Sequence, residues 1–233
     1  MIDKTVPTCR EAVAQVFDGA TIMIGGFGDP GVPGQLIEAL RKQGSTNLTV
    51  VHNGAGGGDF ALGGLILDGR VRKLVASFPS SPGGTAFRDR YLKGEVELEL
   101  VPQGTLIERI RAAGAGLGGF YTPTAVGTDL AVGKETRVID GREYVFEKPL
   151  PADFAFIKAY RGDRLGNLSY RNAMRNFNPI MATAGKVVIA EVEEIVPVGG
   201  IALEEIHTPG IFIDCLVQVE RHPRLFDPPK QAK

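Results

Sequence analysis

Asp18-Gly19-Ala20-Thr21-Ile22-Met23-Ile24-Gly25-Gly26-Phe27-Gly28-Asp29-Pro30-Gly31-Val32-Pro33 carries the clearest structural signal in this chain. Thr21 to Ile24 is a short apolar run between glycine-bearing turns, which predicts a short buried strand. The glycines after it predict backbone that turns tightly or approaches a ligand closely. Pro33 then suits the first residue of a helix, where its missing N–H costs nothing. Leu36, Ile37 and Leu40 share one face of that helix, and Gly44 ends it. A strand, a glycine loop and a helix in this order form the opening unit of a parallel α/β sheet.

Gly26-Phe27-Gly28-Asp29-Pro30-Gly31 also fits G-x-G-x-x-G, in the strand-to-helix setting that a dinucleotide site requires. Such a site needs an acidic residue about 20 positions on to hold the ribose hydroxyls. The next strand ends Val50-Val51-His52, and no Asp or Glu lies between Glu38 and Asp59. An oxidoreductase that binds NAD therefore lacks its main confirmation. What survives is a loop whose backbone N–H groups suit a phosphate or a developing oxyanion.

On either side of this stretch the pattern continues. Thr8-Cys9-Arg10-Glu11 reads as a capping box opening a helix to about Phe17. Leu48 to His52 reads as a strand, Phe60 to Leu67 as a helix, Val71 to Ser77 as a strand, Thr85 to Leu92 as a helix, and Val96 to Leu100 as a strand. Thr105-Leu106-Ile107-Glu108 reads as a second capping box, opening a helix to about Ala113. The alternation predicts an open, mostly parallel sheet with helices on both faces and right-handed crossovers. Ligands on such sheets bind at the carboxyl ends of strands, where the glycine loops fall. Asp140-Gly141, between Thr136 and Phe146, predicts a hairpin. It belongs to a smaller β-rich lobe around residues 120–150. Ala155 to Tyr160, Lys186 to Val192 and Ile211 to Val219 read as further strands, and residues 225–233 as a flexible tail. One domain over residues 1–233 is expected.

The 233 residues are 43% hydrophobic and 23% charged, ordinary for a globular protein, and the net charge is −1. That balance gives no footprint for nucleic acid or an anionic membrane. Cys9 and Cys215 lack metal-ligand spacing and cannot build a disulfide framework, so no metal is expected and a reducing cytoplasm is. The polar N-terminus has no apolar core of a signal peptide. No apolar run approaches the roughly 20 residues that span a bilayer.

The stretch from Asp18 to Pro33 resembles the first signature of family I CoA-transferases: an Asp-Gly turn, an apolar strand, Gly-Gly-Phe, then Gly-x-Pro. A second block is also similar: Val101-Pro102-Gln103-Gly104-Thr105-Leu106, Glu108-Arg109-Ile110-Arg111, Gly114-Ala115-Gly116, Phe120, Thr122-Pro123 and Val126-Gly127-Thr128. Arg175-Asn176-Phe177-Asn178-Pro179 and Thr208-Pro209-Gly210-Ile211 complete a resemblance that spans almost the whole chain. It is to the A-type chains of 3-oxoacid and 3-oxoadipate CoA-transferases.

The resemblance implies covalent transfer through a glutamate, by way of an acyl anhydride and a glutamyl-CoA thioester. In the family that glutamate lies in a Ser-Glu-Asn-Gly motif of the B-type chain, and no glutamate here sits in that motif. A B-type partner is thus implied, as αβ or α2β2, with coenzyme A a substrate and no tightly bound cofactor. The implied acids are a donor such as succinate or acetate and a 3-oxo acid, 3-oxoadipate or acetoacetate. By resemblance, Gly25, Gly26, Phe27, Gly28, Asp29, Pro30 and Gly31 abut CoA and the reacting carbonyl. Amides of Gly26, Phe27 and Gly28 are candidate oxyanion donors, and Gln103 is a supporting catalytic residue. Many relatives carry Ser-Asn-Asn where this chain has His52-Asn53-Gly54, so His52 and Asn53 are candidate substrate contacts. Arg109 and Arg111 suit either CoA phosphates or a solvated helix face. A sugar-phosphate sensor of a regulator is the competing reading; a regulator would bring a DNA-binding segment, and this sequence shows none.

Overall fold

Ile22 and Ile24 pack into one apolar cluster and Met23 into another, and all three are fully buried. A strand buried on both sides belongs inside a parallel sheet with helices above and below. The computed structural model describes residues 2–80 and 85–220, so the tail expected at 225–233 lies outside the described residues. In chain order the elements are β1 (Thr5–Val6), α1 (Cys9–Ala12), β2 (Thr21–Ile24), α2 (Gly34–Gln43), β3 (Leu48–Val51), α3 (Ala61–Leu67), β4 (Val71–Ala76), α4 (Ala86–Leu92), β5 (Glu97–Leu100) and α5 (Gln103–Gly114). There follow β6 (Phe120–Thr122), β7 (Thr136–Ile139), β8 (Arg142–Glu147), β9 (Ala152–Asp163), β10 (Leu168–Ser169), α6 (Asn178–Ala182), β11 (Gly185–Val196) and β12 (Cys215–Gln218).

The main sheet runs β1-β12-β11-β9-β2-β3-β4-β5, with β10 paired to β9 off this path. Every pairing along the path is parallel, and only β10 joins antiparallel. From β2 to β5 the chain steps steadily toward one edge. Right-handed crossovers then put α2, α3 and α4 on one face, where they share a core with Ile22, Ile24, Leu48, Val50 and Leu74. After β5 the chain crosses to the other face through α5 and re-enters at β9, beside β2. Leu106 and Ile110 of α5 and Met181 of α6 build the second core there, on Met23, Val51, Val75 and Ala155. The direction of growth therefore reverses between β2 and β9. Such a switch point leaves a crevice at the carboxyl ends of the two strands.

The small sheet, β6-β8-β7, spans the expected lobe. Asp140 and Gly141 both adopt positive φ, 49° and 77°, as a tight hairpin turn requires.

Two capping boxes fare differently. Thr8 accepts from the Glu11 N–H at 3.2 Å, as expected, but α1 ends at Ala12 rather than near Phe17. The chain continues instead in three-residue turns, Ala14 N–H to Glu11 O and Val16 N–H to Val13 O. Thr105 is not a cap. The Pro102 carbonyl accepts from Leu106 N–H at 2.8 Å, so α5 begins at Gln103. That leaves Thr105 helical and buried, where its side chain has no free N–H ahead of it to cap. The strand expected from Ile211 begins only at Cys215, because Gly210–Phe212 forms a short 3-10 turn.

Candidate active site

The loop after β2 lies at the switch point. Gly25 N–H donates to Phe156 O at 2.9 Å, tying its start to β9. Gly26, Gly28 and Gly31 have φ of 113°, 60° and 77°, a region in which side chains are strained. Phe27 N–H donates to Pro30 O at 3.1 Å, which commits that amide within the loop. The N–H groups of Gly26 and Gly28 make no hydrogen bond among the described residues. Asp29 turns one carboxylate oxygen into a buried position with no hydrogen-bond partner among them, and burial pushes its pKa up.

Asn178 fastens this loop. It is 0% exposed; its Nδ2 donates to Gly31 O at 3.0 Å and Met174 O at 2.7 Å, and its Oδ1 accepts from Lys158 N–H at 2.9 Å. A Cβ on Gly25 would land on that Oδ1, and one on Gly31 would lie 2.6 Å from that Nδ2. Asn176 Nδ2 donates to Pro30 O at 2.8 Å, and the Phe177 ring stacks on Phe27 at 6.5 Å. The sequence marks residues 175–179 as one block of a resemblance; the structure shows them gripping another.

Beyond the loop, α2 starts at Gly34; Pro33 precedes it as the N-cap instead of being its first residue, and offers no side-chain cap. The first turn is capped from elsewhere. Glu191 of β11, 0% exposed, accepts through Oε2 from Gln35 N–H and Leu36 N–H, each at 3.0 Å, while Oε1 accepts from Lys158 Nζ at 3.1 Å. Burial pushes the Glu191 pKa up, and the Lys158 ammonium and the two amides oppose that. With these amides taken, the helix start is not open to a pyrophosphate, a physical reason beyond the missing acidic residue against the dinucleotide reading. Sequence reasoning missed Glu191 and Lys158; the only signal was a single charge inside each of two apolar runs, residues 154–159 and 187–192.

His52 and Asn53 follow directly after β3. His52 is 3% exposed, and its Nδ1 pairs with Ile24 O at 2.8 Å, which makes Nδ1 the protonated nitrogen. Burial lowers its pKa, so the ring is neutral and braces the loop from behind. Asn53 Oδ1 accepts from Ser77 Oγ at 2.8 Å and from Gln103 Nε2 at 2.6 Å. Thus Asn53, Ser77 after β4 and Gln103 of α5 meet at neighbouring strand ends. Arg109 pairs with Glu99 at 2.7 Å and donates to Lys148 O, and Arg111 pairs with Glu108, so both serve their own surface.

Cys9 and Cys215 are pushed up to about 11, chiefly by burial, which keeps them as unreactive thiols. Among the described residues, no group of three or more His, Cys, Asp or Glu side chains is placed to hold a metal, and no helix is long and apolar enough to cross a membrane. What the loop offers is chemistry of backbone donors and positioned amides.

Residues 6–219 match the Coenzyme A transferase family. The chain is 52% identical over 223 residues to the A-type chain of 3-oxoadipate CoA-transferase from Acinetobacter baylyi, covering 96% of this chain and 98% of that one. It is 48% identical over 214 residues to the A-type chain of a probable succinyl-CoA:3-ketoacid coenzyme A transferase from Bacillus subtilis, covering 92% and 89%. Its fold superposes with a TM-score of 0.83 on an acyl-CoA transferase of Escherichia coli O157:H7 at 22% identity. That match takes in 93% of this chain and 47% of the longer one.

Proposed function

The chain belongs to the Coenzyme A transferase family, and we propose that it is the A-type half of a CoA-transferase moving CoA to a 3-oxo acid. The observation that carries this reading is the clamped loop at the switch point, with the Gly26 and Gly28 amides unengaged among the described residues. The nucleophilic glutamate comes from a B-type chain in an αβ or α2β2 assembly. Its carboxylate attacks the thioester carbonyl of the donor acyl-CoA. The carbonyl oxygen gains negative charge, and the Gly26 and Gly28 amides stabilise it. Expulsion of CoA thiolate leaves an acyl-glutamyl anhydride. The thiolate then attacks the glutamyl carbonyl and releases the donor acid as a carboxylate. The 3-oxo acid takes CoA from the glutamyl thioester by the reverse sequence.

Prearranged donors of this kind need no reorganisation as charge develops, and losing one typically costs ~10²–10³ in rate. Phe27 is 50% exposed and stacked on Phe177, so it can cover the water-sensitive anhydride from a fixed position. Gln103, held by Asn53, orients a carboxylate or the carbonyl. His52 acts through the loop and moves no proton. Coenzyme A is a substrate, not a resident cofactor.

The test is transfer from succinyl-CoA to 3-oxoadipate or acetoacetate, on this chain with and without a B-type partner. The reading expects turnover only in the mixture. Turnover by the chain alone, or none from a well-formed complex, would overturn it.

A further inference from the structure

Two cations of β9 and one from the segment after β10 are matched one by one with carboxylates of β11. Lys158 pairs with Glu191 at 3.1 Å, Arg161 with Glu194 at 2.8 Å, and Arg171 with Glu193 at 3.0 Å. Arg161 and Arg171 also enclose the Tyr160 ring, 4.9 and 4.1 Å from its centroid. These three charges are committed to the fold.

Arg175 is different. It is exposed, and among the described residues its side chain makes no hydrogen bond or ion pair. It ends the short turn Asn172–Arg175, which opens on Asn172 at a φ of 52°, a strained value for a residue with a side chain. Its neighbours on both sides grip the glycine loop. Met174 O and Gly31 O share the Nδ2 of Asn178, and Asn176 Nδ2 donates to Pro30 O at 2.8 Å. The backbone at Arg175 is thus fixed against residues 30–31, and an exposed cationic side chain leaves from that anchored turn.

We infer that Arg175 binds an anionic oxygen group of the substrate, either the second carboxylate of a dicarboxylic acid or a phosphate of CoA. The inference rests on the transferase reading above and adds a charge-recognition residue to it. Guanidinium groups pair with carboxylates and phosphates through the same fork of donors. An exposed cation with no ion-pair partner among the described residues keeps that fork available.

The experiment compares wild type, R175Q and R175K, each assembled with the B-type partner. KM is measured for succinyl-CoA and for two acceptors, dicarboxylic 3-oxoadipate and monocarboxylic acetoacetate. If the ligand is the second carboxylate, R175Q raises KM for 3-oxoadipate about tenfold or more, the scale of one charge-assisted hydrogen bond, and leaves acetoacetate unchanged. If the ligand is a phosphate, KM rises for succinyl-CoA, and isolated CoA binds more weakly by the same factor. R175K recovers part of either loss, because it keeps charge without the fork. Unchanged KM values for all three substrates would overturn the inference. So would a variant that fails to assemble with its partner yet binds CoA and succinate normally, since the arginine would then serve the interface. An inactive wild-type complex would sink the transferase reading alone. Calorimetric titration of CoA and succinate into wild type and R175Q still decides this one, and equal affinities for both ligands would overturn it.

Discussion

Gln103 Nε2 donates to Asn53 Oδ1 at 2.6 Å, joining the first turn of α5 to the loop that follows β3. Ser77 Oγ donates to the same oxygen at 2.8 Å. Three strand-end or helix-start residues are thereby held in one network, and each depends on the others for its orientation.

The network predicts non-additive effects. Gln103→Ala and Asn53→Ala should each lower kcat of the assembled enzyme by about tenfold or more. The double variant should lose less than the product, with a coupling of about 1 kcal/mol, as for residues sharing one hydrogen-bond network. A double-mutant cycle on kcat checks this; strict additivity would separate the two residues.

Two loop glycines should respond differently. A Cβ at Gly28 meets nothing closer than Pro30 Cδ at 3.9 Å, so Gly28→Ala costs only the positive φ, about 1–2 kcal/mol. Assembly should survive while transfer falls at least about tenfold, because the methyl group stands where substrate must approach. Gly31→Ala places Cβ 2.8 Å from Met174 O as well as against Asn178, so stability and transfer should fall together. Thermal melting beside the transfer assay distinguishes the cases. Near-wild-type turnover in Gly28→Ala would contradict close approach.

Asn178→Ala removes one side chain that serves three buried backbone groups: Lys158 N–H, Gly31 O and Met174 O. Each orphaned group costs about 1–3 kcal/mol, so the denaturant midpoint should report a loss of about 3 kcal/mol or more. Asn178→Asp should not rescue it, because a carboxylate oxygen would face two carbonyls. A loss below about 1 kcal/mol would show that the clamp is not Asn178.

His52 should make stability depend on pH. Burial lowers its pKa in the folded chain, while the unfolded chain protonates near ~6.5. Below that value the unfolded state binds more protons, so stability is level above about pH 6.5 and falls as pH drops toward the folded value. His52→Asn should therefore show a shallower fall of Tm between about pH 6.5 and 5 than wild type. Part of the slope should remain, because His207 is lowered too, by burial and then by the Arg175 charge. An unchanged slope would mean that His52 does not titrate in this window.

The order of strands and helices was legible from Thr21 to Leu100, because β2 to β4 each hold a buried apolar stretch, the edge strand β5 alternates Glu and Leu, and each covering helix carries one apolar face. The Gly25–Gly31 loop was legible for the same local reason: glycine takes φ of 60° to 113° without the strain a side chain meets there. The Asp140-Gly141 turn was fixed by its own two residues. Helix starts were less legible, since Thr105 carries a capping pattern and yet lies inside α5, 4% exposed. Which residues hold the loop was decided only in three dimensions. Asn178 reaches Gly31 across 147 positions and Glu191 caps Leu36 across 155. Neither partner leaves a periodic trace, because a hydrogen bond between distant segments constrains two single residues and no pattern around them. The chain's local propensities set its elements and its loop. The return of β9 beside β2 set the crevice, because only that reversal brings Asn178, Lys158 and Glu191 to the carboxyl end where the loop emerges.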